Sequence, residues 1–127
     1  MTGATAGHPP VLLWRAGDGG LVELGAPGLL LGHFPDAEYT PVGHPIGDGD
    51  RIVLYTDGII EATNRQGQFF DPERLREFIA SHPGGPAEAF SGALLRHLSS
   101  WCERGPDTGG FEDDITFVVV SFTPAIP

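Results

Sequence analysis

Basic residues are scarce. The chain has 127 residues with 7 Lys and Arg against 17 Asp and Glu, a formal net charge of −10. No cluster of three basic residues occurs, which argues against nucleic acid and anionic membrane surfaces as partners, since both are tracked by grouped Lys and Arg. Cysteine is limited to Cys102, so no internal disulfide can form and nothing points to an oxidising compartment; Cys102 reads as a small apolar helix residue. No stretch approaches the roughly 18 apolar residues of a membrane span, and Met1 is not followed by a basic segment and an apolar signal core. We read a soluble, cytoplasmic protein. What is present is 40% hydrophobic residues, 19 glycines and 12 prolines, the composition of one globular domain, residues 1–127, built of short elements and many turns.

Val11 to Trp14 and Leu21 to Leu24 are apolar runs separated by Gly17-Asp18-Gly19-Gly20, which predicts a β-hairpin. Leu29 to Leu31 reads as a further strand-like piece. Glu38 to Ile46, interrupted by proline, reads as an edge or bulged strand. The turn Gly47-Asp48-Gly49-Asp50 superficially resembles a calcium loop, but its alternating acids do not continue and Ile52 falls on a ligand position. It feeds a strand from Arg51 to Thr56.

Asp71-Pro72-Glu73 has the order of a helix start: a capping carboxylate, proline at the first helical position and an acid near the positive end of the dipole. Leu75, Phe78 and Ile79 mark its apolar face, and His82-Pro83-Gly84-Gly85 stops it. A second helix is expected from Pro86, with Phe90, Ala93, Leu94, His97, Leu98 and Trp101 at three- and four-residue steps. Ile115 to Phe122 reads as a central strand buried on both faces. Trp14, Trp101, Phe69 and Phe70 are read as core or half-buried packing residues. There are no internal repeats.

The chemically suggestive feature is the stretch RIVLYTDG, Arg51 to Gly58, where a core strand ends in a carboxylate, Asp57. Glu112-Asp113-Asp114 stands just before the last strand. If the two strands are antiparallel neighbours, these carboxylates converge at one edge of the sheet, and oxygen donors without nitrogen or sulfur suit a hard cation such as Mg²⁺ or Mn²⁺. Gly58 lets the backbone turn sharply beside them. The same residues also read as an ordinary Asp-Gly turn and a solvated acidic loop. His33, His44, His82 and His97 show no paired metal spacing.

Four stretches occur in order: Ala6-Gly7-His8-Pro9-Pro10, Gly49-Asp50-Arg51 leading into Leu54-Tyr55-Thr56-Asp57-Gly58, Glu61-Ala62, and Asp113-Asp114-Ile115-Thr116. Together they resemble the C-terminal part of a SpoIIE-type phosphatase domain, the bacterial branch of the metal-dependent (PPM) protein serine/threonine phosphatases. The resemblance implies an α+β fold, a PPM-type α/β/β/α sandwich of antiparallel sheets flanked by helices. It implies hydrolysis of phosphoserine or phosphothreonine with two Mn²⁺ or Mg²⁺ ions. Asp57 and Asp113 would ligate the same metal, Asp114 sits where relatives carry Asp or Asn, Gly58 would be the close-packing turn, and Gly7 and His8 would order the turn before the hairpin. The implied partner is a phosphorylated STAS-type regulatory protein, an anti-sigma-factor antagonist, with sensor domains upstream in the parent.

The family domain also has an earlier strand whose aspartate bridges the two metals, and Met1 to Ala6 contains no acid. The chain is therefore expected to hold about the last two-thirds of the domain, with the N-terminal portion missing. Three expectations follow: at most one weakly held cation, little or no phosphatase activity from this chain alone, and self-association through uncovered strands. A competing reading is a non-catalytic regulatory or binding module that keeps the fold without a complete metal site. Thr5 stands where the family often has Asn, and its hydroxyl could still bond the turn.

Overall fold

The computed structural model describes residues 1–25, 28–103 and 111–124. In chain order the elements are β1 (Thr2–Gly3), β2 (Val11–Trp14), β3 (Leu21–Leu24), β4 (Val42–Gly43), β5 (Arg51–Tyr55), α1 (Asp57–Ile60), α2 (Asp71–Ser81), α3 (Ala87–Trp101) and β6 (Phe117–Ser121). The expected hairpin forms: Trp14 lies opposite Leu21 and Val11 opposite Leu24. Its turn is closed by Gly19 at φ +70°, a conformation that costs a glycine nothing.

A four-stranded antiparallel sheet runs in the order β3-β2-β5-β6, and β1 pairs with β4 in a separate two-stranded ribbon. Alternation of side chains sends Leu12, Trp14, Val53 and Tyr55 to one face of the larger sheet, where they meet Leu75, Phe78 and Ile79 of α2 and Phe90, Leu94 and Leu98 of α3. This is the main core, and it bears out the α+β expectation. The opposite face gathers Leu13, Leu24 and Ile52 with Val11, Val22, Ile46, Leu54 and Phe122.

Both long helices start and stop where the sequence places them. Asp71 sits at φ +59° and its Oδ1 accepts the Arg74 N–H at 3.0 Å, so it caps α2, with Pro72 in the first turn. That hydrogen bond, with the nearby Arg74 guanidinium, holds the Asp71 carboxyl below its ordinary 3.8 against an opposing push from desolvation. A depressed folded-state pKa stabilises above the unfolded value and is lost as pH falls through the folded one. The stability advantage of the wild type over Asp71→Ala is therefore expected to shrink on acidification below about pH 4, read by thermal melts at a series of pH values.

Four readings need correction. Residues 115–122 do not form a central strand buried on both faces: β6 lies at the edge of the sheet, with Val118 53% and Val120 40% exposed. A run of β-branched residues suits a pleated strand of either kind, so it carries no information on how many faces are covered. The strand that is enclosed is β5, flanked by β2 and β6 and buried along nearly its whole length. Leu29 to Leu31 is not a strand; among the described residues it has no ladder partner, and the three leucines are half to three-quarters exposed. Within Glu38 to Ile46 only Val42–Gly43 pairs, against Thr2–Gly3, because Pro41 and Pro45 on either side have no N–H to donate. Phe69 is exposed rather than packed, whereas its neighbour Phe70 is fully buried.

Arg51 is the one charged side chain in the enclosed strand, and it is 1% exposed. Its Nη1 donates to the His82 carbonyl at 2.8 Å, and its Nη2 donates to the carbonyls of Gly84 and Gly85. Its guanidinium carbon stands 4.4 Å from the centre of the Phe90 ring. One side chain thus ties the strand to the segment that ends α2 and leads into α3. Asp50, also buried, accepts N–H groups of Ala16 and Gly47 at 2.9 and 2.8 Å and so clamps the hairpin turn to the start of β5.

Candidate functional site

β5 and β6 are antiparallel neighbours with Tyr55 opposite Phe117, so the end of the first lies beside the start of the second. The Thr56 N–H and hydroxyl both donate to the Thr116 carbonyl, at 3.0 and 3.3 Å, and extend the contact one residue beyond the ladder. Asp57 then opens α1, a single turn in which the Glu61 N–H donates to the Asp57 carbonyl at 2.9 Å. This turn was not anticipated from the sequence; four residues are too few to show helical periodicity.

The apposition is tight. A Cβ placed on Gly58 would stand 2.2 Å from the Asp114 carbonyl oxygen and 3.3 Å from its carbon. Only a residue without a side chain lets the Asp57 turn and the 113–114 loop lie against each other. Asp57, Asp113 and Asp114 are all solvent-exposed, Gly58 is buried, and Asp113 Oδ1 accepts the Asp114 N–H at 2.8 Å.

Beside this junction is a cavity of about 190 Å³ lined by Gly58, Glu61, Thr63, Phe69, Glu112 and Asp113, with Ala62, Cys102 and Phe111 completing the wall. Thr63 Oγ1 donates to Glu112 Oε2 at 3.2 Å across it. Its back wall is held by Ala62, whose carbonyl accepts the Phe70 N–H at 2.7 Å and the Trp101 indole N–H at 3.1 Å. Thr63, Phe69 and Phe111 were not singled out as site residues; Glu61 stood in one of the four ordered stretches and Glu112 among the carboxylates before the last strand, though neither was given a role.

Gly7 and His8 lie elsewhere, outside the lining of this cavity. Gly7 has φ +71°, its N–H donates to the Gly28 carbonyl at 2.9 Å, and a Cβ there would run into Leu30. His8 is exposed with Nδ1 2.7 Å from the Pro9 carbonyl oxygen. The pair orders the turn before β2.

Exposed carboxylates on two apposed turns form a hard, oxygen-only donor set, fit for Mg²⁺ or Mn²⁺ rather than zinc. Among the described residues, however, no group of three His, Cys, Asp or Glu side chains is placed to hold a metal ion. The described residues therefore form no closed cage, although their donor chemistry is that of a hard-cation site.

The fold is shared with solved PP2C-type phosphatase domains. The chain is similar to the SiaA-PP2C domain of Pseudomonas aeruginosa, with a TM-score of 0.73 and 23% identity over 92% of this chain and 44% of that one. It is similar to the manganese-presoaked phosphatase domain of SpoIIE from Bacillus subtilis, with a TM-score of 0.70 and 18% identity over 99% of this chain and 52% of that one. At these identities the likeness shows the fold. The family model described as Stage II sporulation protein E (SpoIIE) matches residues 1–123, and the chain belongs to that family. Phosphoserine phosphatase RsbU of Bacillus subtilis (strain 168) is 35% identical over 82 residues, 65% of this chain and 24% of RsbU. The chain therefore spans about a quarter of that relative and about half of the solved domains. No helix among the described residues is long and apolar enough to cross a membrane.

Proposed function

We propose that this chain forms part of a metal-dependent protein serine/threonine phosphatase domain in which Asp57 and Asp113 hold one Mn²⁺ or Mg²⁺ and Asp114 is a further oxygen donor beside them. The carrying observation is the seat of the Asp114 carbonyl on Gly58, which sets the two aspartate-bearing turns against each other. The bound cation would supply Lewis acidity toward water and the phosphoryl oxygens.

The chain's own residues define what the site can accept. Among the described residues, Glu61, Glu112 and Asp113 line the cavity and no basic residue does. A phosphoryl group would be repelled from this wall unless divalent cations reverse the local field. The Thr56–Thr116 hydrogen bonds and the Gly58 contact hold the Asp57 turn and the 113–114 loop against each other beside one end of β5 and β6. Cys102 reaches the cavity wall but is no candidate nucleophile. It is buried at the C-terminal end of α3, where the helix dipole opposes a thiolate.

For the intact protein the supported reaction is hydrolysis of phosphoserine on a regulatory protein of the STAS-type, anti-sigma-factor antagonist class, under the control of upstream sensor domains. The name of RsbU as a phosphoserine phosphatase supports the choice of phosphoserine. A second reading, a regulatory module that binds a partner without turnover, draws on the lack of a three-residue metal cluster among the described residues.

One pair of measurements separates the readings. Titration of Mn²⁺ into the 127-residue chain, followed by the loss of the free-ion electron paramagnetic resonance signal, is expected to show at most one weak site, absent in Asp57→Asn and in Asp113→Asn. Phosphate release from a phosphoserine peptide with Mn²⁺ is expected to stay near the uncatalysed rate for this chain alone. Turnover like that of an intact domain would overturn the incomplete site, and no Mn²⁺ uptake at any concentration would favour the regulatory module.

A further inference from the structure

We infer that Trp101, the last residue of α3, is a positioning residue for the one-turn helix α1 and acts through the Ala62 carbonyl. Where Asp57 ligates a cation, a part that rests on the function proposed above, the same bond helps to set where that ligand stands. A lone helical turn is unstable in water, so the shape of α1 depends on what pins its ends. At its start, the Thr56 N–H and hydroxyl are tied to the Thr116 carbonyl. In its middle, Ile59 is fully buried, but apolar contact is non-directional and fixes the depth of the turn more than its orientation.

The far end closes on Ala62. The Glu61 N–H donates back to the Asp57 carbonyl at 2.9 Å, and the Ala62 N–H to the Ile59 carbonyl at 3.2 Å. The Ala62 carbonyl in turn accepts two donors from outside the turn: the Phe70 N–H, just before α2, at 2.7 Å and the Trp101 indole N–H at 3.1 Å. One oxygen is thus the point at which the start of α2 and the end of α3 both hold α1. Its flanking residues Glu61 and Thr63 line the cavity.

The indole is itself held from two sides. Its ring meets Phe70 edge-on, with centroids 5.9 Å apart at 73°, and the Arg74 guanidinium carbon stands 4.7 Å from the centre of the Trp101 ring. Arg74 is paired with Asp71, the cap of α2. A ring fixed in this way aims its one donor with little freedom to turn. Phenylalanine could supply an aromatic ring here, but only tryptophan adds an N–H to it.

Trp101→Phe in the 127-residue chain removes the donor and keeps an aromatic ring. The Ala62 carbonyl retains the Phe70 N–H, so the melting temperature should fall by no more than about 4 °C. Hydrogen exchange read by NMR should show the Glu61 and Ala62 amides exchanging at least about tenfold faster relative to those of Val53 and Leu94, which report opening of the whole fold. Trp14→Phe, at the other tryptophan, should leave that ratio unchanged. Partners bonded directly to a metal ligand are worth about 10–100-fold in metal affinity. Trp101 acts one step further out, so its loss should raise the Mn²⁺ dissociation constant about three- to tenfold. In the unaltered chain the Trp101 indole proton should shift on Mg²⁺ addition. An unchanged exchange ratio in Trp101→Phe, or an equal change in Trp14→Phe, overturns the inference. Faster exchange with Mn²⁺ affinity unchanged, and an indole proton that stays still at saturating Mg²⁺, overturn the link to the ligand. A wild-type chain that takes up no Mn²⁺ sinks the cation reading instead, and the exchange ratio still decides whether Trp101 holds the turn.

Discussion

Arg51→Met is expected to lower the unfolding free energy by about 3–5 kcal/mol, a large share of the 5–15 kcal/mol typical of a domain. The substitution keeps most of the side-chain volume but removes every donor. Three carbonyl oxygens, those of His82, Gly84 and Gly85, lose a charged donor whose own side chain is buried. Hydrogen bonds from a charged donor contribute about 1.5–3 kcal/mol each and do not add fully when one group makes all of them, so the sum falls within the stated range. The contact with Phe90 is lost as well.

Burial lowers the Arg51 pKa, yet arginine stays charged over any pH at which the fold survives, so the loss should not vary with pH between 5 and 9. Arg51→Lys keeps the charge but offers one nitrogen where the carbonyls need a planar fork, and it should recover less than half of the loss. Urea denaturation of the three proteins checks this. A loss below about 1 kcal/mol for Arg51→Met would mean that water replaces the guanidinium at little cost.

Arg51 also shows where sequence reasoning stops. It was read as the first residue of a strand, and rightly so, but its role depends on the carbonyls of a helix stop some thirty residues later, and backbone acceptors leave no mark on sequence. Elements whose cause is local were legible. The hairpin follows from the glycines between Trp14 and Leu21, and α2 follows from Asp71 and Pro72, whose capping bond is present. The α3 face was legible because Phe90, Leu94 and Leu98 repeat at four-residue steps, and all three are buried.

Elements whose cause is a neighbour were misread. Leu29 to Leu31 is as apolar as any strand here, but among the described residues it has no partner to pair with, and Phe69 differs from Phe70 in the side of the chain on which it falls. For β6 the composition was read correctly as a strand, while its place at the edge could be set only by the sheet order. The site shows the same division. The meeting of the Asp57 and Asp113 turns followed from assuming that β5 and β6 are antiparallel neighbours, which they are. The cavity beside them, walled by Thr63, Phe69 and Phe111, comes from a loop fold that no spacing rule describes.

Gly58→Ala tests that meeting of turns most sharply. The added methyl would stand 2.2 Å from a backbone oxygen, and a backbone atom cannot rotate away as a side-chain tip can. Relief requires the 113–114 loop to move off the Asp57 turn by about 1 Å to restore van der Waals separation. Overpacking of this kind costs about 1–3 kcal/mol. The larger effect should fall on the site: a displacement near 1 Å separates the oxygen donors, and misplacement on that scale costs about a hundredfold where geometry governs function. Mn²⁺ uptake by Gly58→Ala should therefore be abolished even where the variant is fully folded. Gly17→Ala is the matched control, since a Cβ there meets nothing within 4 Å, and it should leave both stability and Mn²⁺ uptake unchanged. Unaltered Mn²⁺ uptake in folded Gly58→Ala would show that the two turns do not act as one site, and would remove the geometric support for Asp57 and Asp113 as joint ligands.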